Sequence, residues 1–239
     1  MPNHVKNILK MKDITTLPIF TNEEGRDMEM FPSFDFEKII PMPKSLDIES
    51  SSIIAVAVEA AIRRASLANH EHFGPRVIPA MSDSDYKAWL YRSRKTEDEL
   101  LELGATYLHN MIFHGAATWY DWRIKHWGTK WNSYENVQID SNNIMFETAW
   151  SAPEPVIAQL AEMYPKTEIE HWWADEDVGR NTGYAKYSEG KAVMTYHYED
   201  YSSEACATYI RCWGENKCLY KDENGMWHNR ACDTCHGCD

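Results

Sequence analysis

Five of the six cysteines lie in the last 28 residues, and three of them form the run Cys232-Asp-Thr-Cys235-His-Gly-Cys238. Thiolates are soft ligands that hold zinc in a closed tetrahedral site. Cys218 precedes Cys232 by 14 residues, and Asp222-Glu-Asn-Gly225 between them is a hairpin-turn signal. Such a hairpin returns the chain beside Cys218, so the expected zinc ligands are Cys218, Cys232, Cys235 and Cys238. Cys212, His228 and His236 are the other choices for the fourth position. Only one side of the pattern has C-x-x-C spacing, so free thiols and disulfides compete with this reading. A zinc-bound tail would be structural and needs no catalysis to explain it.

Two other groups of side chains invite a chemical reading. Glu168, Glu170, Asp175, Glu176 and Asp177 form an acidic stretch with no base inside it beyond His171. They suit docking of a basic partner, a hard-cation site, or simple solvation. Trp119, Trp122, Trp127 and Trp131, with Lys130 nearby, are the densest aromatic cluster. They could line a ligand pocket that stacks a base or nucleotide, or pack two domains together at their junction. No Walker loop, dinucleotide glycine fingerprint, nucleophile elbow or H-E-x-x-H pair is present, so the expectation is a protein that is not an enzyme.

Bulk properties narrow the classes. Acidic residues outnumber Lys and Arg 37 to 24, a formal charge of -13. That field opposes direct binding of nucleic acid and favours a basic partner, including one that itself grips DNA or RNA. The first residues are polar with no apolar region behind them, so the expected compartment is the reducing cytoplasm. The longest apolar run, Ile53 to Ala61, is broken by Glu59 and is far too short for a membrane span.

The elements that must position these groups follow from periodicity and punctuation. Residues 3 to 11 read as a strand with imperfect alternation, and residues 34 to 40 as a short strand ending at Pro41. Helices are expected over 52–68, 96–113 and 119–127, the last stopped by Gly128. Residues 70 to 95 read as irregular. Then come a strand at 143–150, a helix to Tyr164, two or three strands (166–173, a piece near 182–187, and 191–198) and a helix over 202–213. The order β-α-β-β-α is that of a ferredoxin-like sandwich. Residues 217 to 221, or an earlier strand, would complete its sheet. The expected class is α+β: an N-terminal α+β region over 1–131, a ferredoxin-like domain over 132–214 and a Cys-rich tail over 215–239.

Several phrases resemble the YubB-like family of uncharacterised plasmid and phage proteins with a ferredoxin-like C-terminal domain. They include Phe36-Glu-Lys-Ile39-Ile-Pro41-Met-Pro43, Trp127-Gly-Thr-Lys-Trp131-Asn132, Phe146-Glu-Thr-Ala-Trp150-Ser and Ala174-Asp-Glu-Asp-Val-Gly179. The resemblance spans nearly the whole chain and supports the ferredoxin-like domain. It also implies a mobile genetic element, whose accessory proteins often counter host defence, and hence a bacterial cytoplasm. It supplies no catalytic residues. The functional expectation is therefore an accessory protein that binds a host protein and inhibits a defence system. The alternatives are a nucleotide-binding module or enzyme using the Trp-rich cluster, and a structural protein of a virion or replication complex.

Overall fold

The structure, a computed structural model, describes residues 3–22, 31–70 and 80–229. It divides into two compact units, Met1–Pro41 with Ile124–Asp239, and Met42–Arg123. In chain order the elements are β1 (His4–Met11), β2 (Phe20–Thr21), β3 (Ser33–Phe34), α1 (Ile53–His70), α2 (Asp83–Ser93), α3 (Glu97–His114) and α4 (Trp119–Trp127). They continue with β4 (Tyr134–Gln138), β5 (Asn143–Ala149), α5 (Glu154–Met163), β6 (Ile169–Asp175), β7 (Gly183–Ser188), β8 (Lys191–His197), α6 (Ser203–Trp213), β9 (Leu219–Lys221) and β10 (Trp227–Asn229). Among the described residues no helix is long and apolar enough to cross a membrane.

The first unit is built on a six-stranded sheet in the order β4-β5-β1-β6-β7-β8, antiparallel throughout. Asn7 at the centre of β1 pairs with Phe146 on one side and Trp173 on the other. β1 lies between β5 and β6, the two strands that α5 joins, so an early strand completes the sheet. The hairpin β7–β8 widens it, and α6 packs back on the face that carries Ile8, Trp172 and Ala174. The expected strands and helices from 143 to 213 are present, with three strands, β6, β7 and β8, between α5 and α6, and β1 joins them in one sheet. The expected division at residue 131 therefore gives way to one that joins the first 41 residues to the C-terminal part. The reason is non-local pairing, which no local pattern reports. Residues 34 to 40 also differ from expectation. They form the end of β3 and a 3₁₀ turn, Phe36–Lys38, because the Asp35 carboxylate accepts the Glu37 N–H at 3.0 Å.

The buried face of β1 shows Val5, Asn7, Leu9 and Met11. Phe34, Phe36, Phe146 and Trp127 meet edge-on with ring centroids 5.1 to 5.7 Å apart. At the middle of the same face sits a polar triad. His171 Nε2 donates to Asn7 Oδ1 at 3.0 Å, and Asn7 Nδ2 donates to Thr148 Oγ1 at 3.0 Å. Burial pushes the imidazole down to about 3, so it is neutral at any ordinary pH.

The second unit is helical. Its core joins Val56, Ala57 and Ala60 of α1 to Tyr86, Leu100 and Tyr107. The α3 start has a capping box formed by Thr96 and Glu99, and Gly115 ends it at φ 69°. Gly104 lets α3 approach α1, since a Cβ there would meet the Ala57 carbonyl oxygen at 1.9 Å. The stretch read as irregular contains α2, capped by Ser82 but burying little beyond Tyr86. Glu59, which broke the apolar run, is buried and accepts from Arg63 Nε at 2.9 Å and from the Ala80 N–H at 3.0 Å.

Candidate functional site

The end of β5 and the segment after α4 build an exposed aromatic patch. Thr129 Oγ1 donates to the Ala149 carbonyl at 2.8 Å, which fixes Lys130 and Trp131 beside Trp150. The Lys130 ammonium lies 4.8 Å from the Trp131 ring and 4.9 Å from the Trp150 ring. Both indoles face solvent, Trp131 at 36% and Trp150 at 42% exposure. Trp131 meets Tyr134 edge-on at 6.2 Å. Tyr134 Oη is 2.9 Å from His4 Nδ1 and donates to the Thr148 carbonyl at 3.0 Å. Its phenol is held well above the usual range by burial, then by the charges of Glu147, Glu176 and Glu135. The patch therefore sits in a negative field.

Trp150 adopts φ 70°, a left-handed backbone that a bulky residue takes only when its surroundings hold it there. Three polar residues do so. The Trp150 N–H donates to the Asn3 carbonyl at 2.9 Å, and Asn181 Nδ2 donates to the Trp150 carbonyl at 3.0 Å. Asp175, buried at the end of β6, ties these two holders together: it accepts from Asn3 Nδ2 at 3.1 Å and from Asn181 Nδ2 at 3.4 Å, and also from the Asp177 N–H at 2.9 Å.

The acidic stretch is thus split by the strand it lies on. Asp175 is a buried positioning residue, a correction to its expected role as a docking group. Glu176 and Asp177 are exposed on the rim, where Glu176 Oε1 accepts the His4 N–H at 3.1 Å. Glu168 and Glu170 lie toward the other end of β6; at ~3.3 Å per residue Glu170 is about 17 Å from Asp175. Lys10 pairs with Glu170 at 2.8 Å, Tyr184 Oη donates to it at 3.0 Å, and Lys186 pairs with Glu168 at 3.2 Å. These two are not part of one acidic docking edge with the others.

The expected tryptophan pocket also divides. Trp127 is fully buried in the first unit, its indole N–H donating to the Ile40 carbonyl at 2.9 Å. Trp119 and Trp122 belong to the second unit: Trp122 is buried and Trp119 half-buried against Arg123. Only Lys130 and Trp131 reach the patch. Sequence reasoning missed Trp150, Tyr134, His4, Asn3 and Asn181. The one available signal was a tryptophan ending an alternating strand just before Ser151-Ala-Pro153.

Of the expected zinc ligands, Cys218 is buried and disulfide-bonded. Cys232, Cys235 and Cys238 lie outside the described residues. The hairpin expected between Cys218 and Cys232 is present as β9–β10, with Gly225 at φ 80°. Cys206 and Cys212 are buried free thiols, and burial pushes Cys212 up to about 12. Among the described residues no group of three or more His, Cys, Asp or Glu is set to hold a metal ion.

Residues 126–220 match the family model of the ferredoxin-like domain in Api92-like protein. The chain thus carries that domain, which holds every residue of the patch except Asn3 and His4. The match says nothing of a plasmid or phage origin. Among solved structures, a protein api92 from Yersinia pseudotuberculosis is similar at 15% identity and a TM-score of 0.37, over 83% of this chain and 99% of that one. So weak a likeness carries no argument. No curated protein matches the chain.

Proposed function

We propose that this protein acts by binding another protein, with Lys130, Trp131 and Trp150 as the recognition patch and Glu176 and Asp177 on its rim. The observation that carries this reading is Trp150, kept half-exposed at φ 70° by Asn3, Asn181 and Asp175. A left-handed bulky residue costs ~1–3 kcal/mol, which folding alone does not need. Exposed tryptophans held rigidly are the residues that dominate protein interfaces. The acidic rim suits a basic partner. In its finer form the proposal keeps the host protein of a bacterial defence system as the target, the chain being an accessory protein of a plasmid or phage. It also keeps a zinc-bound tail on Cys218, Cys232, Cys235 and Cys238, with a disulfide at Cys218 as the competing state.

The test is capture from host lysate with the tagged protein, its Trp150→Gly variant and its Trp131→Ala variant, with zinc quantified on the reduced protein. Glycine relieves the strained φ and so offsets part of the lost indole packing. Trp150→Gly should therefore stay folded, within ~1–2 kcal/mol of wild type, while losing the captured protein. Retention of the same stoichiometric partner by both variants sinks the patch as the binding surface. A nucleotide carried through purification, with no protein partner, would move the assignment to a nucleotide-binding module.

A further inference from the structure

Lys130 does something at this patch that the binding reading does not require. Its ammonium lies within 5 Å of two ring centroids whose indoles are both partly open to solvent. A cation over an indole face is attracted by the ring quadrupole. Two such faces on one ammonium make a seat for positive charge. The surroundings reinforce it: Glu176 and Asp177 are exposed at the rim. The upward push that Glu147, Glu176 and Glu135 exert on the Tyr134 phenol reports the same negative field. Lys130 reaches the seat on a flexible four-carbon stem.

Resting on the binding reading above, we propose that the Trp131–Trp150 pair is a seat for an arginine side chain of the partner, which Lys130 fills in the free protein and vacates on binding. Arginine fits better than lysine for two reasons. Its planar guanidinium stacks on an indole, and its forked donors can reach a rim carboxylate at the same time, whereas an ammonium is a point charge. Lys130 is then an internal competitor that sets a threshold on affinity, and a single isolated cation will not displace it. A basic segment that also engages Glu176 and Asp177 will.

The experiment titrates the whole protein with an arginine-rich peptide and with a lysine-rich peptide of the same length, read by calorimetry at low and high salt. The wild type should bind the arginine peptide more tightly. Lys130→Met should tighten that binding by roughly twofold to fivefold, the range of an exposed cation–π contact. The gain should persist at high salt, where mere removal of a like charge is screened. In a Trp150→Gly background Lys130→Met should change nothing, because the seat it competed for is gone. Equal binding of both peptides, no gain from Lys130→Met, or a gain unaffected by Trp150→Gly each overturns the proposal. Lysate capture that depends on Trp150 together with a titration blind to Lys130 would leave the binding patch standing and remove the arginine seat alone. Loss of both would remove both.

Discussion

At one end of β6, Glu170 faces Lys10 and Tyr184, and Glu168 faces Lys186. At the other end Asp175 faces two amide side chains and a backbone N–H, with no cation among its hydrogen-bond partners in the described residues. Five acidic residues within ten positions of sequence therefore do three different things. Those paired with lysines on neighbouring strands are partly neutralised. Asp175 holds the backbone of Trp150 through its two amide partners. Glu176 and Asp177, just past the strand, keep their charge in solvent. What a carboxylate does here is set by the strand end it occupies and what faces it, not by the density of acid around it.

The sharpest way to break this comparison is Asp175→Ala. It removes the buried acceptor that the Asn3 and Asn181 amides and the Asp177 N–H share, and should cost ~2–3 kcal/mol in urea unfolding. It should also reduce binding at the patch as far as Trp150→Gly does, although it removes no patch side chain. A loss of charge effect alone, with stability intact, would make Asp175 a surface acid like its neighbours.

Midway along the same strand, His171 gives the next effect. Its folded value of about 3 lies below the unfolded value near 6.5. Between those limits the unfolded chain holds a proton that the folded chain does not, so stability falls as pH drops through 6.5 and the loss grows until about 3. At pH 5 the shortfall relative to pH 7 should be about 2 kcal/mol. The His171→Leu variant, though less stable at neutral pH, should lack this component when unfolding midpoints at the two pH values are compared. An unchanged pH slope in the variant would assign the acid sensitivity elsewhere.

The smallest effects belong to the paired end. Glu170→Gln should cost ~0.5–1 kcal/mol and Glu168→Gln no more than ~0.5 kcal/mol, both shrinking in high salt, as expected of exposed ion pairs. Neither should alter capture of a partner or binding of the arginine peptide. A binding defect in either would rejoin the two ends of β6 into one docking edge.

Local signals in the sequence carried the helices well. Thr96 with Glu99, Gly115, Gly128 and Ser202 mark ends that the structure has within a residue or two. The strands β5 to β8 were legible from alternation and from their turn residues. Elsewhere, local chemistry gave little. The edge strand β4, Tyr-Glu-Asn-Val-Gln, is mostly exposed and irregular in register, so it has no apolar face to announce it. α2 buries little beyond Tyr86 and reads as polar coil. β1 looked imperfect because its central inward position is Asn7, whose partners His171 and Thr148 lie more than 140 residues away. The patch was half-read for the same reason. Lys130 and Trp131 stood out by composition, but Trp150 acquires its meaning from a backbone angle that Asn3, Asp175 and Asn181 impose from distant parts of the chain.

The position of β1 in the sheet has a bearing on synthesis. The strand is translated well ahead of its partners β5 and β6, which begin at residues 143 and 169. At ~5–20 residues per second the ribosome needs on the order of ten seconds or more to supply them. Over that interval the helices of Met42–Arg123, whose pairings are close in sequence, have time to fold. The nascent β1, with Val5, Leu9 and Met11 uncovered, must wait as an unpaired apolar strand. Slow translation or a shortage of chaperones in the expressing cell should therefore damage the sheet that carries the patch before it damages the helical unit.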